Sequence, residues 1–490
     1  MLRSNSGISK VAAAMIAVIV IIALIIGVYY ATLSPGPTPT PATPTPTTPT
    51  PTTPTPSTPT PTTPTPSTPT PTTPTPTPST PTPTTPTPST PTPTTPTPST
   101  PTPTTPTPGP EKIKVGMIAS LTGALASIGR IQKVVVEEVV KMFNSEGGIY
   151  LKDYGRKLPI DLILVDDESN PSRATELAMR LVSDQELVAV VCCSYAHIST
   201  PVAKLTERYS VSLLSAGAPV EFFAAAGPWN YSWIHSTSFE KDCECFLDLL
   251  SEYRSQTNQK VALVMGDDIV GRTQHKLLIP KLEREGYTIF DTGLYPPETA
   301  DFASIILKLK DAGCDILFVQ ATPSTFAVFW RQCALFSYKP KLLWNGAISR
   351  PEDVQVLGSE LGLGIMASIA WHPDFPFPLS ATYREIWEKY SKQGFDLGPT
   401  GAYYFTIWFV LKDALERVGR LDRQALNKAI GETKIVGACG PVSFDPQTHT
   451  SAAYTTLGQW QKTAEGKLVL QPVWSEIVEI EVVKLIFPLP

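Results

Sequence analysis

Between Tyr30 and Glu111 the sequence has no charged and no aromatic residue, and residues 35 to 108 are almost entirely Pro, Thr and Ser. Such a tract cannot bury enough apolar surface to offset its ordering entropy, and its prolines lack the N–H that helices and sheet ladders need. A folded core there is excluded. Cysteine is scarce as well: seven in 490 residues, at positions 192, 193, 243, 245, 314, 333 and 439, too few and too scattered for a disulfide framework. Cys314 and Cys333 fall where a strand start and the end of its returning helix meet, so a bridge is open geometrically, but two buried free thiols are the simpler reading.

Catalytic signatures are missing too. The chain has no G-x-S-x-G, H-E-x-x-H, G-x-x-x-x-G-K or C-x-x-C, hence no nucleophile elbow, zincin pair, phosphate loop or redox pair. Its five histidines, at 197, 235, 275, 372 and 449, stand apart from one another. No enzyme activity, metal or other cofactor is therefore expected. Asp166-Asp167-Glu168 follows a strand, where a cation or acid/base role competes with the commoner one of stabilising the next helix N-terminus. Residues 111–490 carry 37 basic against 44 acidic side chains, since only Arg3 and Lys10 precede them. Mild acidity without a basic face argues against nucleic acid as a partner.

What is present begins with Val11–Tyr30, 20 residues without a charge, enough to cross a hydrocarbon core of about 30 Å as a helix. With Arg3 and Lys10 before it and no charge after it until Glu111, residues 1–10 are expected in the cytoplasm and the remainder outside. A cleaved secretory signal fits Val28-Tyr29-Tyr30 poorly. The stretch Ser6-Gly7-Ile8-Ser9-Lys10 is similar to a prepilin-type leader, whose removal would leave the anchor in place. Residues 31–110, with TPTPTTPTPS recurring from Thr38 to Pro108, read as a stalk. As extended polyproline II it would reach on the order of 200 Å, and its Thr/Ser density suits O-glycosylation.

From Ile113 the pattern becomes alternating strand and helix. Strands are expected at 113–119, 158–165, 188–191, 211–214 and 230–236, then at 260–265, 287–294, 315–319, 341–344 and 365–371, with helices between them. Repeated βα units imply parallel sheets covered on both faces, and 380 residues exceed what one core usually holds. An α/β fold of two similar lobes, one for each series, follows. The stretch 188–219, VAVVCCSYAHISTPVAKLTERYSVSLLSAGAP, places two small polar loops side by side at the carboxyl ends of neighbouring strands, where open α/β sheets bind ligands.

IKVGMIASLTGALASIG (113–129), VDDESNPSRATELAMRLV, the stretch 188–219 and GPVSFDPQT from Gly440 together resemble the branched-chain amino acid and amide solute-binding proteins of ABC transporters. The anchor and Thr/Pro stalk resemble archaeal surface-tethered binding proteins. The resemblance implies two Rossmann-like lobes, lobe 1 at about 111–236 and 372–440 and lobe 2 at about 237–371 and 441–490, joined by three crossovers near Ser236–Phe239, Ala367–Trp371 and Gly440–Phe444, which close over a small-molecule ligand and present it to the permease subunits of an importer. It further implies that Ser194, beside Tyr195, holds the ligand carboxylate with help from the loop Gly217, Ala218 and Pro219. Thr122 and Ile128 would flank that end, Ile128 standing where amino-acid binders have an aromatic. In the second lobe the expected aromatics are replaced by Val270 and by the loop carrying Thr322, and the expected carboxylate by Asn345. Glu240, near the first crossover, is the substitute on offer. Burying an ammonium without a counter-charge costs several kcal/mol, so an amide, a carboxylate or another small solute stays open beside an amino acid. The alternative is the sensory half of a signalling receptor, for which ten cytoplasmic residues leave little room.

Overall fold

A computed structural model describes residues 109–490 apart from Cys193, Ser194 and Pro399. The expected membrane helix, and all of the expected stalk up to Pro108, lie outside these residues. Among the described residues no helix is long and apolar enough to cross a membrane.

Two sheets organise the chain. Residues 187–192 are buried at every position, as a parallel strand covered on both faces must be. This strand lies near the middle of a six-stranded, all-parallel sheet ordered 450–452, 232–236, 212–215, 187–192, 113–119, 160–166. The second sheet runs 468–475, 456–462, 366–369, 342–344, 316–320, 260–266, 288–295. It is parallel from 366–369 to 288–295, but 456–462 enters antiparallel and 468–475 returns beside it. The parallel expectation is corrected at that edge. Only five residues join 456–462 to 468–475, turning at Gly466 with φ 80°, and so short a connection permits only an antiparallel return.

Apolar layers cover both faces of each sheet. Helices Ala126–Ser145 and Thr400–Val418 pack on one face of the first sheet, and Pro171–Ser183 and Ala196–Tyr209 on the other. Asn170 starts the third of these, its carboxamide oxygen accepting from the N–H groups of Ser172 and Arg173. Helix Pro378–Ser391 begins earlier than its apolar pattern suggests, because Pro378 occupies the first helical position. Helix Val220–Ala226 was too short to show a period. Cys314 and Cys333 are both free and buried in the second lobe.

The chain changes sheet three times: at 236–239, between Ile369 and Pro378, and at 453–455. The third passage comes later than the expected Gly440–Phe444. Hairpin Lys434–Gly437/Gly440–Ser443 stays with the first lobe because Val442, Phe444 and Ala453 are buried in that lobe's core. Thr450–Ala452 then adds to the first sheet's edge beside 232–236.

Candidate functional site

At the carboxyl ends of 113–119, 187–192 and 212–215 the first lobe presents three turns. In the first, the Asp166 carboxylate accepts from Leu121 N at 2.9 Å, Thr122 N at 3.2 Å and Thr122 Oγ1 at 2.7 Å. Burial raises its pKa, but the Glu168 N–H, which also donates to it at 2.9 Å, together with these bonds outweighs that and lowers it. The acidic run thus ties down a loop, and Thr122 is committed to it. Gly129 then brings helix Ala126–Ser145 against the strand end, and Ile128 beside it faces the space between the lobes. After 187–192, Tyr195, 43% exposed, precedes helix Ala196–Tyr209. The third passes through Gly217 at φ 92°, a left-handed conformation that favours glycine.

Between the lobes lies a cavity of about 300 Å³. The first lobe contributes Ile128, Tyr195, Gly217, Pro219, Thr400, Tyr403 and Tyr404; the second contributes Phe239, Asp242, Gln274, Gln320, Trp344, the 346–349 loop and Ser368; the crossovers contribute Ser236, Thr237 and Ala370. Among the described lining residues none is Lys, Arg or His, and Asp242 is the one carboxylate. A smaller adjoining hollow of about 120 Å³ shares Ser349 and Ser368 and carries Arg350 and His372. The Arg350 guanidinium there is committed to Asp353, at 3.1 and 2.9 Å.

Of the residues singled out from sequence, Ile128, Tyr195, Gly217 and Pro219 stand on the cavity wall. Ser194 lies outside the described residues. Ala218 is buried behind its loop, 1% exposed. Thr322 caps helix Pro323–Leu335, accepting from Thr325 N at 3.3 Å. Val270 sits in the first turn of helix Ile269–Arg284 and is not part of the wall. Asn345, fully buried, donates to Ala321 O at 3.3 Å and accepts from Ala347 N at 3.0 Å, which shapes the loop that does line the cavity. Glu240 points elsewhere: Lys281 Nζ donates to it at 3.2 Å and to Glu244 at 2.6 Å.

The residues that sequence reasoning missed lie close to those it chose. Ser238 caps helix Phe239–Glu252 by accepting from Lys241 N, which sets the helical register. Phe239 and Asp242, three apart, then share the cavity face, while Glu240 and Glu244, four apart, share the outer face with Lys281. The Ser238 capping signal was readable in the sequence. Asp242 is 6% exposed. Burial pushes its carboxyl up to about 7, against the Ser368 and Thr455 hydroxyls, with Glu221 and Glu476 adding to the rise. Thr455 Oγ1 donates to Asp242 Oδ1 at 3.2 Å, so this carboxyl follows the first crossover and touches residues beside the other two. Four further wall residues bury a polar atom without a hydrogen-bonded protein partner: Gln274 Oε1, Trp344 Nε1, the Tyr403 hydroxyl and Ser368 Oγ, which lies near the Asp242 carboxyl. Such atoms are uncommon in folded proteins, and each one calls for a cause.

The chain matches a family described as periplasmic binding protein over residues 112–466. It is 22% identical over 378 residues to Leu/Ile/Val-binding protein homolog 7 of Brucella abortus, covering 73% of this chain and 90% of that protein. Among solved structures, the branched-chain amino acid transporter substrate-binding protein of Streptococcus pneumoniae in complex with isoleucine superposes with a TM-score of 0.59 at 18% identity, covering 74% of this chain and 99% of that one. A solute-binding protein of an ABC transporter from R. palustris in complex with 4-hydroxybenzoate gives 0.60 at 20% identity, covering 74% and 96%.

Proposed function

The chain belongs to the periplasmic binding protein family, and from that premise we propose that it captures a small organic solute between its lobes and delivers it to an ABC importer. One observation carries this reading: a cavity of about 300 Å³ walled by both lobes and by their crossovers. That size suits a molecule of amino-acid or small aromatic-acid dimensions, and a ligand touching both lobes favours the closed arrangement over the open one. A permease can then distinguish loaded from empty protein by shape. The names of the relatives, one branched-chain amino acid binder holding isoleucine and one solute binder holding 4-hydroxybenzoate, support the same range of solute sizes.

In this reading Ser194, Tyr195 and the Gly217–Pro219 loop hold one end of the solute, and the second lobe's wall selects the other. Residues 11–30 anchor the chain in the membrane and the Thr/Pro tract displays the binding lobes outside the cell. A thermal-shift screen of the purified full chain against amino acids, amides, amines and short carboxylates tests capture. A true solute at a hundred times its Kd should stabilise by about 2.7 kcal/mol. A flat response across every class would count against the reading.

A further inference from the structure

We propose that Asp242 is the counter-charge of the solute, so that the cleft takes a small organic ammonium and releases a proton from Asp242 when it binds. This rests on the capture reading above and narrows it to a chemical class.

The argument begins from what surrounds the carboxyl. Asp242 sits on the wall of the interlobe cavity, and no lining residue among those described carries a cationic side chain. The charged and titratable groups packed around it come from several elements. Lys241, next to it on its own helix, is engaged by Glu476 at 3.4 Å. Glu221, from helix Val220–Ala226, accepts from Ser238 Oγ at 2.6 Å and from Glu240 N at 3.1 Å. Glu476 comes from the C-terminal segment, and both of these acids disfavour ionisation of Asp242. Cys243 and Cys245 follow it on the helix, their thiols raised by burial. Tyr403 faces it from helix Thr400–Val418, its hydroxyl likewise raised by burial. His235, on the neighbouring strand, is held neutral, its pKa lowered by burial to about 4. Among the described residues no cation lines the cavity, and Lys241 is engaged by Glu476, so a positively charged nitrogen in the cavity would supply what the ionised carboxylate lacks.

The unpartnered atoms fit the same ligand. Gln274 Oε1 can only accept, Trp344 Nε1–H can only donate, and the Tyr403 and Ser368 hydroxyls can do either. An ammonium donates to Asp242 and to Gln274, and a hydrogen-bond acceptor elsewhere on the same molecule takes the Trp344 and Tyr403 donors. Ile128, Phe239 and Ala347 leave an apolar surface for its carbon frame. Among the described lining residues an anionic solute meets Asp242 as its one charged neighbour, and Arg350 in the adjoining hollow is already engaged by Asp353.

Four probes decide it, titrated calorimetrically into the full chain at pH 5 to 8: 3-methylbutylamine, isoleucine, 4-methylpentanoate and 4-hydroxybenzoate. The two ammonium-bearing probes should bind and the two anions should not. Affinity for the amine should rise by up to tenfold per pH unit from pH 5 towards 7 and level off above it, because the proton on Asp242 must leave first. Near pH 6 the binding heat should change between phosphate and imidazole buffers, which report that proton. Asp242→Asn should weaken the amine at least thirtyfold and flatten the pH profile, with Asp242→Glu restoring the profile in part. Tight binding of either anion, or an Asp242→Asn protein with unchanged affinity and pH profile, overturns the assignment while leaving solute capture intact. Binding of neither these probes nor any compound of the wider screen overturns both.

Discussion

Asp242 and Glu240 differ by two positions and face opposite ways, and the difference decides the chemistry of the cavity. The Asp242 carboxyl rises from 3.8 to about 7 in the folded chain, so between those pH values the folded state holds a proton that the unfolded state has lost. Its contribution to stability is therefore fully present below pH 3.8 and disappears as pH rises through about 7. Urea unfolding of the wild type and Asp242→Asn should show the substituted protein gaining relative to the wild type as pH goes from 4 to 8. Comparing the two proteins separates this carboxyl from His235, whose lowered pKa works in the other direction. A constant difference across that range would mean that the carboxyl ionises normally. Residues in loops at strand ends, such as Gly217 and Pro219, were legible in the sequence because a strand pattern alone locates the loop after it, whereas Ile128, in helix Ala126–Ser145, was picked out by the resemblance. Asp242 was not, because its direction depends on the register that Ser238 imposes on a helix, and acids near a helix start are common on any face.

In each lobe the first strand is followed by a turn and a helix that crosses close above the strand end, at 113–119 and Ala126–Ser145 in one and at 260–266 and Ile269–Arg284 in the other. A β-carbon built on Gly129 would lie 1.9 Å from Ser120 O, and one on Gly271 would lie 2.1 Å from Gly266 O. Backbone cannot yield there as a flexible side chain would. Gly129→Ala should push the helix Ala126–Ser145 off its strand, costing about 2–3 kcal/mol in urea unfolding. A loss under about 0.5 kcal/mol would show that this approach is looser than the structure has it. Most elements of this kind were legible because helical and strand periods alternate cleanly from Ile113 onward. Those that were hidden are short. Helix Val220–Ala226 and the hairpin at 434–443 span too few residues for a period to show. The third crossover followed from tertiary packing, since it is burial of Val442 and Phe444 in the first lobe's core that delays the chain's return to the second sheet.

Across the whole of residues 109–490, the three passages between sheets converge on one region. Ser238 in the first passage donates to Glu221, Ala453 N in the third donates to Ser236 O at 2.9 Å, and Thr455 in the third reaches Asp242. Hinges of a few residues can absorb a rotation while each lobe keeps its core. A solute held between the lobes therefore reports its presence through their relative position, which is the property an importer needs. The two-lobed architecture was legible from length and βα rhythm, whereas the second lobe's wall was not, because Gln274, Trp344 and Asp242 come from three separated segments that only the fold assembles.

The central claim, that this cavity is where the solute binds, is tested most directly by filling it. Ala347 lies on the wall and is partly exposed, so Ala347→Trp places an indole in the cavity with little cost to either core. Calorimetric titration of a solute that scores in the thermal-shift screen should give saturable 1:1 binding to the wild-type chain and none to the Ala347→Trp chain, whose circular dichroism stays native. Undiminished binding by the filled protein would contradict the claim and place the solute elsewhere.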